Sequence, residues 1–102
     1  MTQRPTRFLN FTNEEDINLI NLVKQYRSLY DVYEKEHKDL MVRNQLWHDV
    51  ARIMERDVSD CKKRWRSMKD TYYRQKRTKT RTNWVLMNRL QFLDAVGKSY
   101  DW

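Results

Sequence analysis

The 102-residue sequence predicts an all-α fold, one domain of helices joined by polar loops. Three observations predict it. A single glycine and a single proline leave little turn chemistry for β-hairpins. Apolar residues recur at steps of three and four, the stripe of an amphipathic helix, instead of alternating as in a strand. Helix-start chemistry stands in front of those stripes, most clearly where Thr12 precedes Glu15 by three residues. The length suits one core and not two, and with aromatics at 13% a few large rings can fill it.

Residues 1–12 read as an N-terminal arm, with Arg4 and Arg7 around Pro5 and then Phe8, Leu9 and Phe11. Either it frays with Phe11 near the first helix, or its arginines reach a DNA minor groove, as homeodomain arms do. The folded domain is expected over residues 13–97. Thr12 and Glu15 form a capping box, and Glu14 and Asp16 complement the dipole of a first helix that starts at Asn13. Ile17, Ile20, Val23 and Tyr26, widened by Leu19 and Leu22, carry it to about Arg27. From Ser28 to Lys38 the periodicity weakens, which predicts a loop anchored by Leu29, Tyr30 and Tyr33. Asp39 can cap a second helix over Leu40 to Glu55, with Leu46, Trp47, Val50, Ala51, Ile53 and Met54 on its apolar face. No glycine is available to end it, so the turn at Arg56 to Val58 is expected to use Asp57, bonding to the backbone.

Ser59 then caps a third helix, with Asp60 in its first turn. Cys61, Trp65, Met68 and Tyr72 form its core stripe, and Lys63, Arg66, Asp70, Tyr73, Arg74 and Arg77 point away from that stripe. After Tyr73 the run RQKRTKTR lacks an apolar member, so the helix should fray between Gln75 and Thr80 into a basic loop. Thr82 or Asn83 can cap a last helix carrying Trp84, Met87, Leu90, Phe92 and Leu93, which Gly97 ends. Residues 98–102 are a short tail.

The charge is concentrated. From Lys62 to Arg81 ten Lys or Arg face one acid, Asp70, a local balance of +9 in a chain whose net charge is +7. A solvated helix face normally alternates its signs, and like charges at i, i+3 and i+4 repel, so this composition points to a polyanionic partner. Residues 1–57, by contrast, hold nine bases and ten acids.

Other chemistry is excluded by what is missing. His37 and His48 stand in no zinc-ligand spacing, one glycine cannot make a phosphate loop, and no nucleophile sits in a recognisable setting. Catalysis, a metal, a cofactor and a small-molecule substrate are therefore not expected. Cys61 cannot form an internal disulfide, and no apolar run or signal peptide suggests membrane insertion or secretion.

The segments LINLV in helix one, SLYD at Ser28 to Asp31, LWHDVARIM around Trp47, CKKRWRSMKDTYYR in helix three and WVLMNRLQFL near the end resemble a MADF domain, the Myb/SANT-like module of chromatin proteins. The resemblance spans residues 13–94, and departs at Arg27, where many members carry proline. It implies a three-helix, helix-turn-helix-like core with an additional C-terminal helix, a nuclear role in transcription or chromatin, and helix three as the recognition helix in the major groove of double-stranded DNA. On that footing Lys63, Arg66, Ser67 and Asp70 lie nearest base edges, while Lys62, Lys69, Arg74, Lys76, Arg77, Lys79 and Arg81 hold phosphate. Tyr73 either lies over the stems of Lys69 and Arg77 or touches a sugar or base. Arg64, close to the apolar stripe, can pair with an acid of helix one or two instead. The alternative is a chromatin protein-interaction module whose acids Glu14, Glu15, Asp16, Glu34, Glu36 and Asp39 bind a basic tail. Self-association is also compatible with a lone module, since one such unit covers few base pairs.

Overall fold

The computed structural model describes residues 11–78 and 86–96. Its first helix, α1 (Asn13–Gln25), starts where the capping box placed it: the Glu15 N–H donates to Thr12 Oγ1 at 3.0 Å and the Thr12 N–H to Glu15 Oε1 at 3.1 Å. Leu19, Ile20 and Val23 are buried along one stripe. The helix stops two residues short of Arg27, and the expected loop is tightened into 3-10 turns at Arg27–Leu29 and Lys35–Lys38. Leu29 and Tyr30 anchor it as expected, Tyr30 with its hydroxyl donating to the Lys24 carbonyl at 2.6 Å. Tyr33 does not: it is 80% exposed, and among the described residues only its backbone N–H is engaged, by Asp31 Oδ1 at 2.9 Å. The unforeseen anchor is His37, buried, whose Nδ1 donates to the Ser28 carbonyl at 2.8 Å while its own carbonyl accepts from buried Arg43 at 2.6 Å.

Asp39 caps α2 (Leu40–Met54), its Oδ1 accepting from the N–H groups of Met41 and Val42. Trp47, Val50 and Ala51 are buried, but Ile53 is half exposed because it falls off the line that runs from Trp47 through Val50 and Ala51 to Met54. The turn into the next helix is made by Glu55 in the left-handed conformation (φ 58°, ψ 43°), not by an Asp57 side chain. The Arg56 N–H closes back on the Ala51 carbonyl at 3.1 Å, the bond that ends a helix in a Schellman motif. Without glycine this costs of order 1 kcal/mol, which the surrounding contacts must offset.

Helix α3 (Val58–Thr78) begins one residue before Ser59, so Ser59 is a first-turn residue and not the cap. Asp60 lies in that first turn as expected. Cys61, Trp65, Met68 and Tyr72 are all buried, confirming the core stripe. The helix does not fray at Gln75: Lys76 and Arg77 are helical. One reason is Asp94, which accepts from the Tyr72 hydroxyl at 2.7 Å and from Lys76 Nζ at 3.0 Å and so places a negative charge beside the repelling cations of the last turns.

Asp94 belongs to the C-terminal helix, Asn88–Ala95, which is of 3-10 type. The spacing of three in the sequence is that of a 3-10 helix, where residues i and i+3 eclipse, and Leu90 and Leu93 are accordingly buried on one line. Phe92 lies edge-on to Tyr30 (5.0 Å) and stacks at 6.5 Å over Trp65. One core thus joins α1, α2, α3 and the 3-10 helix, with no strand among the described residues. The expected arm with Arg4 and Arg7, the cap at Thr82 or Asn83, Trp84, Gly97 and the tail lie outside the described residues.

Burial pushes the Cys61 thiol up to about 11, with nearby Asp60 adding to the shift. Its thiolate population at mildly alkaline pH is then lower than an ordinary cysteine's, so labelling by a disulfide reagent should be on the order of a hundredfold slower in the native protein than in denaturant. Comparable rates in the two states would show that the thiol is accessible.

Candidate nucleic-acid interface

At about 100° per residue, the core stripe of α3 fixes which side chains face outward. Lys63, Arg66, Ser67, Asp70, Arg74 and Arg77 are exposed. Five of them, with Thr71, line a hollow of about 420 Å³ along the helix. A second hollow of about 180 Å³ toward the N-terminal end is lined by Ser59, Lys62, Lys63 and Arg66. The fold therefore brings Lys62, Lys63, Arg66, Ser67, Asp70, Arg74 and Arg77 onto one helix surface. Thr71 and Ser59 also line these hollows; Thr71 follows Ser67 by one turn, a relation the helical wheel already contains.

One expected contact needs correction, and a second residue is only partly exposed. Lys69, assigned to phosphate, is only 4% exposed. It sits about 70° from the stripe's centre, close enough to the core for the fold to cover it. This withdraws it from the surface a duplex could touch. Tyr73 is half-buried, packed against the core and edge-on to the Tyr72 ring at 5.7 Å, so it does not stand out among the cations. Lys76 is partly committed, bonded to Asp94 and lying 5.8 Å from the centre of the Tyr72 ring. Lys79 and Arg81 lie outside the described residues.

The acids of α1 hold this surface in place. Arg64 donates from Nε and Nη2 to the two oxygens of Asp16, both at 2.7 Å. Arg56 makes the same two-pronged contact with Glu15 at 2.8 Å and stacks 4.2 Å over the Phe11 ring. The hydrogen bond from Arg56 holds the Glu15 carboxyl down at about 2 against its burial, so this tie persists until strongly acid pH. The pairing uses up most of the acidic surface: Asp39 caps α2, and Glu34 lies 3.9 Å from Arg27. Among the acids proposed to bind a basic tail, Glu14 and Glu36 remain exposed without such a partner among the described residues. On α3, Arg64 is paired inward with Asp16, while the outward Arg66, Arg74 and Arg77 take part in no ion pair among the described residues.

Among the described residues no three His, Cys, Asp or Glu converge into a metal site, and no helix is long and apolar enough to cross a membrane. No solved structure matches this chain. It is similar to "Transcription factor Adf-1" of Drosophila melanogaster, 29% identical over 91 residues that make up 89% of this chain and 35% of that protein. The chain thus spans about a third of that relative's length. Residues 19–93 match the family described as alcohol dehydrogenase transcription factor Myb/SANT-like. With that match running from the second half of α1 through α2 and the basic α3 into the C-terminal helix, the chain belongs to the MADF family of Myb/SANT-like DNA-binding domains.

Proposed function

We propose that this chain is a sequence-specific, double-stranded DNA-binding module of a nuclear transcription or chromatin regulator, with α3 entering the major groove. The observation that carries the reading is the sorting of charge on α3. The inward-facing Arg64 is neutralised by Asp16, and Lys69 is buried, whereas the outward Lys63, Arg66, Arg74 and Arg77 surround a single acid. An α-helix fits the major groove, and cations along its flanks meet phosphate. Lys63, Arg66, Ser67 and Asp70, on the outward face, are the base-edge readers. Lys62, Arg74, Arg77, Lys79 and Arg81 hold phosphate. Lys76 contributes less because Asp94 already engages it. The rival reading, a basic tail held by the acids of the first half, is left little charge by the Glu15 and Asp16 pairs.

Salt titrations of duplex binding test the reading. Neutralising about five or six phosphates should make log K fall against log salt with a slope near −5. Arg77→Ala should weaken specific and random duplex alike and reduce the slope by about one. Arg66→Ala should cost about 1 to 3 kcal/mol on the best site and less on random duplex. Absence of binding to duplex at about 50 mM salt would sink the DNA reading.

A further inference from the structure

Asp70 is the anomaly of the basic surface. It is the single acid between Lys62 and Arg81. It lies about 170° from the centre of the core stripe, the middle of the outward face. Arg66 stands four residues before it and Arg74 four after, the spacing at which opposite charges on a helix pair. No ion pair joins Asp70 to either arginine among the described residues, and no hydrogen bond engages its carboxylate there. Asp70 instead helps line the hollow with Lys63, Arg66, Ser67, Thr71 and Arg74. An unpaired carboxylate at the centre of a cationic helix face lowers affinity for any polyanion. Its presence is accounted for if it meets a donor on the duplex, and phosphate offers none.

Resting on the DNA reading above, the geometry points to Asp70 as a specificity-determining residue that accepts from the exocyclic N4 amino group of a cytosine in the major groove. It acts in two ways. Over a cytosine it gains a charge-assisted hydrogen bond; against the phosphate backbone or a base edge that presents only acceptors, it is repelled. The cations around it supply attraction that does not depend on sequence, and Asp70 converts part of that attraction into discrimination.

The role gives an inverted signature. Loss of an ordinary contact residue weakens binding everywhere, whereas Asp70→Ala should bind random duplex several-fold more tightly at low salt, because one repulsive charge is gone. At the same time, selection from a randomised duplex pool should show preference for cytosine at one position in the parent, falling by about tenfold in Asp70→Ala. Asp70→Asn keeps the shape and removes the charge. Since an asparagine amide matches the N6 and N7 edge of adenine, it should shift that position from cytosine toward adenine. Asp70 is exposed and, among the described residues, its side chain makes no hydrogen bond or ion pair, so both variants should melt as the parent does.

The experiment is selection from the random pool, with salt titrations on random duplex, for parent, Asp70→Ala and Asp70→Asn. Parent selection of one cytosine, its loss in the alanine variant and a gain in random affinity support the assignment. Unchanged base preferences in Asp70→Ala, or a fall in its random-duplex affinity, overturn it while leaving the DNA reading intact. A parent that binds no duplex overturns both.

Discussion

Replacing Trp65 with alanine is expected to destabilise the domain by about 3 to 5 kcal/mol, a large part of the 5 to 15 kcal/mol by which such domains are stable. Trp65 is fully buried, at the centre of the α3 stripe, and its ring stacks on Phe92. Its Nε1 has no hydrogen-bond partner among the described residues, so the ring contributes volume and dispersion and not a polar contact. The shape of the loss follows from this. Trp65→Phe should retain much of the stability that Trp65→Ala loses, because it keeps an aromatic face and removes a buried, unsatisfied N–H. Urea unfolding of the two variants is the measurement. An alanine variant with parental stability but lost DNA binding would instead put the ring at the interface, contradicting its place in the core.

Arg64→Ala should be comparably severe and should cost more than Asp16→Ala, although the two remove the same ion pair. The Asp16 side chain is 3% exposed and the Arg64 side chain 24%. Without Arg64 a carboxylate is left in the interior with its principal counter-charge gone, a situation that costs about 3 to 5 kcal/mol. Without Asp16 the guanidinium can swing its long stem toward water, so part of that penalty is avoided. Thermal melts at low and high salt check both points. The order of the two variants should hold, and salt should change it little, because a pair this shielded is weakly screened. If Asp16→Ala proved the more damaging, the asymmetry of burial would not be what governs the pair. For DNA binding, Arg64→Ala should act through the folded fraction alone, unlike Arg66→Ala two residues on.

The features legible in the sequence were those decided by local chemistry. Thr12 with Glu15, and Asp39 with the N–H groups that follow it, are contacts within one turn, and both caps are where their residue types placed them. The α3 stripe is likewise a periodicity, and periodicity separates an inner face from an outer one. It does not resolve the flanks: Lys69 and Lys62 read alike on a wheel, yet one is covered and the other half-covered. Partners distant in sequence were not legible either. The end of α3 depends on Asp94, 22 residues from Tyr72. The seating of His37 depends on the Ser28 carbonyl and Arg43, neither of which announces itself as a partner. Glu55 was missed for a third reason, since a left-handed residue without glycine or asparagine carries no compositional mark.

Phe92 joins parts of the chain that are far apart in sequence. Its ring touches Tyr30, which follows the first 3-10 turn, and Trp65 of α3, while Lys24 of α1 lies 5.6 Å from its centre. A chain made from its N-terminus releases the cationic helix well before this ring. In the interval Trp65 and Tyr30 lack the lid that seals them, and Tyr72 and Lys76 lack Asp94. A nascent chain halted before Phe92 therefore carries the basic residues without the completed core that aims them. If the DNA reading proposed above holds, a chain truncated before Phe92 should still attract nucleic acid by charge and should lose discrimination between sequences.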